Sequence, residues 1–547
     1  MVCMQLERIE IAGFRGIKRL SLTFDELTTL VGENTWGKSS LLDALSIALP
    51  SDCVPYEFVM QDFHVDYSIA EQQTQHLQIV LSWKASFSGE EQAGRYRKIK
   101  PVWITDDEGT KRIIYRLSAT RDLFKITTNY MFLDASGNQL HLHHAYKLAQ
   151  ELMALHPVIR LKDARRQVTN NTQNEINSRA EKRIENTSRR LLAMPGHVNK
   201  GEMRSSLNSM QNLVEHYFNV RGQTRGNPRR QRDRIFFGST SQNDKNALME
   251  LADKTNNKQT RLLLMGLLSA YLQAKGPADL RRCARPILII EDPEGRLHPT
   301  HLIRAWSIFQ LLPMQKIITT NSGDLLSAVP LSTIRRLTRH SDRTVAHSIS
   351  NKKLTADELR KIGFHIRFHR SSALFARCWL LVEGETEVWL FNELARLLDY
   401  NLAAEGVQII EFAQSGLKSL VKVAQSFNID WHVVTDGDAA GKKYSASVRS
   451  LLNHEQERHR LTELPDRDIE HFLYANGFEP FFRSLVKIPM DHQIPAKKVI
   501  ARALKKYAKP DLALAIVSYC EDNGTDKVPL LIRWTLKRVV SLANGNR

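Results

Sequence analysis

The chain has 547 residues and a formal net charge of +18, from 77 Lys and Arg against 59 Asp and Glu. Apolar residues make up 42% and charged residues 25%, which excludes a wholly disordered, collagenous or disulfide-stapled chain. This length implies about three or four domains, and this charge implies a polyanionic partner, nucleic acid or an anionic membrane surface.

The five cysteines, Cys3, Cys53, Cys283, Cys378 and Cys520, are scattered and form no CxxC pair. That argues against a zinc site or a disulfide framework and for a reducing compartment. The opening MVCMQLERIEI has acids and bases among its first ten residues and does not read as a signal peptide. The apolar run Leu262–Leu268 is too short to cross a bilayer. The expectation is a cytoplasmic protein that binds no membrane and takes DNA as its polyanion.

Residues 1–144 open with Leu6, Ile9, Ile11 and Phe14, then Leu20, Leu22 and Phe24, the rough alternation of paired strands. Leu27–Val31 reads as a short buried strand, and Leu41–Leu49 has helical spacing. Further strands are expected at Leu77–Trp83, Tyr96–Ile104 and Arg112–Leu117, punctuated by Gly89, Gly94 and Gly109. Residues 145–240 are rich in Arg, Asn, Gln and Ser; from Arg160 to Arg234 there are 17 Lys and Arg against 7 Asp and Glu. This segment reads as a basic helical insertion, either a dimerisation or DNA arm or a solvated charged face. Residues 241–372 return to helix over 245–282, hold two buried strands with helices over 286–330, and read as a polar linker over 350–372. From Trp379, strands at Trp379–Glu383, Val407–Phe412 and Ile429–Thr435 alternate with helical segments. That order predicts a parallel sheet in a domain at 373–485, with a helical segment over 486–547.

Gly32-Glu-Asn34-Thr-Trp-Gly37-Lys38-Ser39-Ser40 fits the phosphate-loop pattern GxxxxGK[ST], between a buried strand and a helix. Glycines let backbone N–H groups curl around phosphate oxygens, and the helix N-terminus adds partial positive charge. Lys38 would reach the β/γ-phosphates, and Ser39 would ligate Mg²⁺. A nucleotide hydrolase also needs carboxylates near the metal and the water. The strand Pro286–Ile290 ends in Glu291-Asp292, where open α/β sheets place ligands. Glu291 would hold Mg²⁺ through water, and Asp292 would polarise the attacking water.

Phe14-Arg-Gly, the phosphate loop and Glu291-Asp-Pro-Glu-Gly-Arg-Leu-His-Pro299 resemble the ATPase heads of the ABC class, including its SMC and RecF types. The resemblance implies a sensor one strand later, here Ile317-Ile-Thr-Thr-Asn321-Ser322. Asn321 stands where that class has a switch histidine. An amide hydrogen-bonds a γ-phosphate but cannot act as acid or base near pH 7. Lys254–Gln259 replaces the class's Ser-Gly signature. Both departures weigh against brisk, cooperative hydrolysis but not against ATP binding. Gln61, beside Asp62, is either the counterpart of the class's glutamine loop or an ordinary surface glutamine.

A second acidic constellation lies in Trp379-Leu-Leu-Val-Glu383-Gly384-Glu385-Thr-Glu387 and Trp431-His-Val-Val-Thr-Asp436-Gly-Asp438. With both strands in one parallel sheet, four carboxylates converge, and they repel unless a cation neutralises them. Oxygen-only ligands imply Mg²⁺ or Mn²⁺ rather than zinc, and such clusters serve phosphodiester chemistry. The pattern resembles the Toprim domain of topoisomerases, primases and certain nucleases, which implies metal binding by Glu383, Asp436 and Asp438. Joined to an ABC head, it is similar to the OLD (overcoming lysogenization defect) family of ATP-dependent nucleases, most like its YbjD branch. The resemblance adds Glu387 and Glu470 as metal ligands, with Asp468 a neighbouring candidate. It also adds Lys509 to steady charge developing on the phosphate. The turn Gln414-Ser-Gly416 is a substrate-side turn or a helix start.

The expected fold class is α/β: an ABC-type ATPase domain with a helical insertion, then a Toprim domain, a parallel sheet flanked by helices, and a helical C-terminal segment. The expected function is an ATP-binding and ATP-hydrolysing, Mg²⁺- or Mn²⁺-dependent DNA endonuclease. It would act as a homodimer or higher homo-oligomer in phage defence, with a defence-system partner, or in DNA repair. The alternatives are a topoisomerase-like strand-passage enzyme, which needs a nucleophilic tyrosine, and an ATP-gated DNA-binding protein without nuclease activity.

Overall fold

The computed structural model describes residues 4–65, 74–122, 125–161, 283–295, 314–349, 354–366, 371–413, 415–452 and 455–545, with 281, 302, 303, 306 and 310 individually. The basic stretch 162–240, the helix expected over 245–282 except residue 281, Lys254–Gln259 and Gln414 lie outside the described residues. Two compact units are present: Met1–Val329 with Thr333–Ala346, and Pro330–Ser332 with His347–Arg547.

In the first unit the alternating apolar residues form β1 (Gln5–Phe14) and β2 (Ile17–Thr23), an antiparallel pair. The three-residue step from Leu6 to Ile9 is a bulge where β1 meets β4 (Thr74–Lys84); one extra residue there keeps both side chains inward. β4 continues to β6 (Lys111–Asp122), which pairs with β5 (Ile104–Thr105) and β7 (Lys125–Leu133). The strand expected at Tyr96–Ile104 is instead a 3-10 helix, Gly94–Val102, followed by β5. Tyr96, Ile99 and Val102 are its buried residues, and a spacing of three is the period of that helix.

The second sheet of this unit has the order β12-β11-β3-β10-β9-β8. Its strands are β3 (Leu27–Val31), β8 (Val158–Leu161), β9 (Ile287–Glu291), β10 (Lys316–Thr319), β11 (Ile334–Arg339) and β12 (Thr344–His347). From β8 to β11 the pairings are parallel. Parallel strands are covered on both faces and so run continuously apolar, as Ile287–Ile290 does. Helix α1 (Lys38–Ala48) buries Leu41, Leu42, Leu45 and Ala48 in one core with Phe14, Ile17 and Trp83. Each such leucine contributes about 1.5–3 kcal/mol. Residues 145–161, read from sequence as the start of the insertion, form α2 (Ala145–Leu155) and β8. α2 packs on β7. Helix α3 (Gly323–Ala328) follows β10.

The second unit opens with α4 (Ala356–Phe364), where a linker was expected. Thr355 Oγ1 accepts from Glu358 N–H at 3.2 Å, and Glu358 Oε2 accepts from Thr355 N–H at 2.8 Å. That reciprocal cap starts the helix. Glu358 also reaches Ser419 Oγ at 3.2 Å, on α6 (Leu417–Ser426), so α4 is docked.

The sheet of this unit has the order β14-β13-β15-β16, from β13 (Cys378–Val382), β14 (Val407–Glu411), β15 (Asp430–Thr435) and β16 (Leu461–Glu463). All its pairings are parallel, with Leu381 beside Ile410 on one side and Val433 on the other. Helices α5 (Glu385–Leu397), α6 and α7 (Ala439–Arg449) follow β13, β14 and β15 in turn. Further α-helices among the described residues are α8 (Glu457–Arg460), α9 (Ile469–Leu473), α10 (Glu479–Leu485), α11 (Ala496–Lys506), α12 (Lys509–Asn523) and α13 (Leu530–Ala543). Leu390, Phe391, Phe482, Leu512, Ile516 and Leu536 share one core. Among the described residues no helix is long and apolar enough to cross a membrane.

Candidate functional site

Three neighbouring parallel strands deliver the head residues to one sheet edge. β3 leads into Gly32, β10 leads to Asn321, and β9 ends in Glu291. Asn34 opens a single 3-10 turn inside the phosphate loop. Gly37 turns the chain into α1 with φ +93°, and a Cβ there would lie 3.2 Å from Ile17 Cγ1; only glycine takes that turn without strain. Ser39 is exposed and Ser40 half-buried in the first turn of α1, whose N–H groups have no partners within a helix and attract anions.

Lys38 is 4% exposed. Its Nζ donates to the Gly32 carbonyl and to Asn321 Oδ1, the latter at 3.1 Å. Burial holds the ammonium below its ordinary range, while Asp292, Glu294 and Glu33 pull it back up. Asp292 has φ +41° and is clasped by one hydroxyl. Its N–H donates to Thr319 Oγ1 at 3.1 Å, and that hydroxyl donates to Asp292 Oδ1 at 2.9 Å. Glu294, which the motif reading did not single out, accepts from Thr320 Oγ1 at 3.0 Å and from Asn321 N–H at 2.5 Å. Its position as the third acid of Glu-Asp-Pro-Glu was the available signal.

Glu291 is engaged by Arg160, also missed from sequence, whose Nε and Nη2 lie 3.0 and 2.8 Å from Oε2. Arg160 pairs with Asp43 of α1, and Asp43 pairs with Arg15. Arg15 in turn lies 2.9 Å from Asp62, which accepts from Tyr56 OH at 2.9 Å and Val59 N–H at 3.1 Å. Gln61 is exposed, one residue before that anchored carboxylate. Gly32, Lys38, Asp292 and Asn321 are thus drawn together, and Gln61 is joined to Glu291 only through a chain of ion pairs.

In the second unit Glu383 and Asp436 leave the same edge of adjacent strands β13 and β15. Glu383 Oε2 is buried without a hydrogen-bond partner. Burial raises the Glu383 carboxyl, and Asp438 and Glu387 raise it further. Asp436 is pushed up to about 8, by burial first and then by Glu387, Glu383, Asp468 and Glu470. Glu387 accepts from Gly384 N–H at 3.1 Å. Asp438 caps α7, accepting from Ala440 and Gly441 N–H at 2.8 and 2.7 Å. A Cβ on Gly441 would lie 1.9 Å from the Asp436 carbonyl oxygen, so glycine is required where α7 crosses that turn. Glu470 is 6% exposed. Asp468 caps α9 and meets His471 Nδ1 at 2.5 Å. Lys509 opens α12; its side chain lies outside the described residues.

Among the described residues no group of three or more Asp, Glu, His or Cys side chains stands close enough to enclose an ion. The donors nonetheless suit a hard divalent cation: they are all oxygens, one buried oxygen lacks a partner, and Asp436 resists ionising among its neighbours.

A phosphate loop with an acidic neighbouring strand, followed in one chain by a parallel sheet bearing Glu383 and Asp436-Gly-Asp438, is the arrangement of an ABC-like head fold followed by a Toprim domain. A family model described as a protein of unknown function, DUF2813, matches residues 4–373, and the overcoming lysogenization defect protein-like TOPRIM domain matches residues 374–438. The uncharacterized protein YbjD of Escherichia coli (strain K12) is 42% identical over 99% of this chain and 100% of its own length. The OLD nuclease of Thermus scotoductus is 24% identical, over 83% of this chain and 85% of its own. The endonuclease GajA of Bacillus cereus is 22% identical, over 82% and 78%. The chain belongs to the DUF2813 family together with YbjD, and it carries an OLD-like TOPRIM domain.

Proposed function

We propose that this chain is a nuclease that cleaves DNA as an endonuclease under the control of ATP binding, using Mg²⁺ or Mn²⁺. The observation that carries this reading is that Glu383 and Asp436 leave the same edge of two adjacent parallel strands, each carboxyl raised by burial and by the acids around it. Relatives named OLD nuclease and endonuclease GajA support it. A divalent cation bound there supplies charge neutralisation and Lewis acidity for phosphodiester hydrolysis. Glu383, Asp436 and Asp438 would hold it, with Glu387 and Glu470 behind them. Lys509 would steady the phosphate. In the head, α1 and Lys38 bind the phosphates, Ser39 and Glu291 hold the nucleotide's Mg²⁺, Asp292 orients water, and Asn321 contacts the terminal phosphate. A charge of +18 favours sequence-tolerant binding to the DNA backbone. ATP held between two heads makes a homodimer or larger assembly, and phage defence or DNA repair is the setting.

The test is supercoiled plasmid incubated with and without ATP and Mn²⁺. Metal-dependent nicking that is lost in Asp436→Ala is expected. Cutting unchanged in that variant overturns the carboxylate metal-site assignment, and no cutting in any nucleotide state overturns the nuclease reading and leaves an ATP-gated DNA-binding protein.

A further inference from the structure

Arg160 is the lone charge in an otherwise apolar strand, Val158-Ile-Arg-Leu161. β8 and β9 run parallel with Arg160 beside Ile289. Aligned residues share a face, and Glu291, two residues on, returns to that face. There Nε donates to Glu291 Oε2 at 3.0 Å, Nη2 adds an ion-pair contact to the same oxygen without making a hydrogen bond, and Nη1 takes Asp43. The Arg160 and Glu291 side chains are only 14% and 12% exposed. With Arg15 and Asp62, five charged side chains link the Phe14-Arg15-Gly16 turn, α1, the turn bearing Gln61 and the end of β9. Desolvating so many charges is costly, and β8 has no need of it, since a β-branched residue would serve the strand as well. Such a departure from an apolar strand pattern belongs to function.

We propose that Arg160 is the positioning residue for Glu291 in the head. It fixes the carboxylate so that the divalent cation carried with the nucleotide meets it in one orientation. This rests on reading the head as a nucleotide site. The other end of Arg160 is anchored on Asp43, in the helix that begins with Lys38 and Ser39. The carboxylate at the end of β9 and the phosphate cradle at the start of α1 are therefore held in one frame. Arg15 and Asp62 extend that frame to the turn of Gln61. Partners behind a metal ligand typically contribute 10–100-fold in metal affinity. A lysine cannot replace the planar fork, because a single ammonium cannot hold Asp43 and Glu291 in fixed directions together.

The test measures binding of a fluorescent ATP analogue to the full chain, first in EDTA and then across a Mg²⁺ titration. The proteins are wild type, Arg160→Gln and Arg160→Lys. In EDTA all three are expected to bind within about twofold of one another, reporting an intact cradle. The Mg²⁺ midpoint is expected to rise about tenfold or more in Arg160→Gln and by less in Arg160→Lys. Unchanged midpoints overturn the proposal. A midpoint that falls also overturns it, because Arg160 would then be a competitor of the cation. Should Arg160→Gln fail to fold, the shift in Arg160→Lys decides. Wild type that binds no nucleotide under either condition removes the nucleotide reading itself, and the proposal with it.

Discussion

Lys38 Nζ donates to Asn321 Oδ1 across 3.1 Å, joining the phosphate loop to the end of the neighbouring strand β10. Two residues read separately from sequence thus share one point. Hydrogen bonds from a charged donor contribute about 1.5–3 kcal/mol. Lys38→Ala is therefore expected to weaken ATP binding about 10–100-fold. Asn321→Ala should leave binding within about threefold and lower turnover. Equilibrium binding and phosphate release check both, and normal ATP affinity in Lys38→Ala contradicts the phosphate-loop assignment.

Asp436 titrates at about 8 in the fold and at about 3.9 when unfolded. Folding disfavours its charged form, so the penalty is absent below the unfolded value and grows as pH rises from about 4 to about 8. Asp436→Asn removes it. In EDTA at pH 8 the variant should be more stable than wild type by about 1–2 kcal/mol, after discounting for partial exposure, and the two should converge near pH 4. Melting curves at both pH values check this; a variant that melts lower at pH 8 contradicts it.

His432 titrates in the opposite sense. It is fully buried, with Nδ1 2.9 Å from the His459 carbonyl and Nε2 2.8 Å from Thr462 Oγ1. Burial, aided by Arg538, Arg460 and His459, lowers it to about 4, below an unfolded value of about 6.5. Its contribution is complete above about 6.5 and is lost as pH falls toward 4, by at most about 3 kcal/mol. Buried His156 is also lowered to about 4. Urea unfolding at pH 7 and pH 4.5 should show a smaller acid loss in His432→Gln than in wild type.

Gly441 lies where a Cβ would meet the Asp436 carbonyl oxygen at 1.9 Å. Gly441→Ala is expected to destabilise by about 2 kcal/mol or more and to weaken divalent-cation binding by displacing Asp436. Denaturation together with Mn²⁺ titration checks it, and an unchanged Mn²⁺ affinity shows that the turn does not place the carboxylate.

The strands that carry chemistry were legible because parallel strands leave apolar runs ending in acids, as Ile287–Glu291 and Trp379–Glu383 do. The helix Ala356–Phe364 was legible in principle from Thr355 and Glu358, but the polar composition around it read as a linker. Tyr96, Ile99 and Val102 resembled a strand because their period of three lies between the strand and α-helix periods. Arg160 with Glu291 could not be read, because a pairing across 131 residues leaves no local pattern. Glu294 was overlooked because the acids before it already completed a familiar motif.

Manganese binding, followed directly by electron paramagnetic resonance on the nucleotide-free chain, tests the carboxylate site most simply. Wild type is expected to bind Mn²⁺, and Glu383→Gln and Asp436→Asn are each expected to weaken that binding at least about tenfold while Lys38→Ala leaves it intact. Equal Mn²⁺ binding by all four proteins contradicts the account.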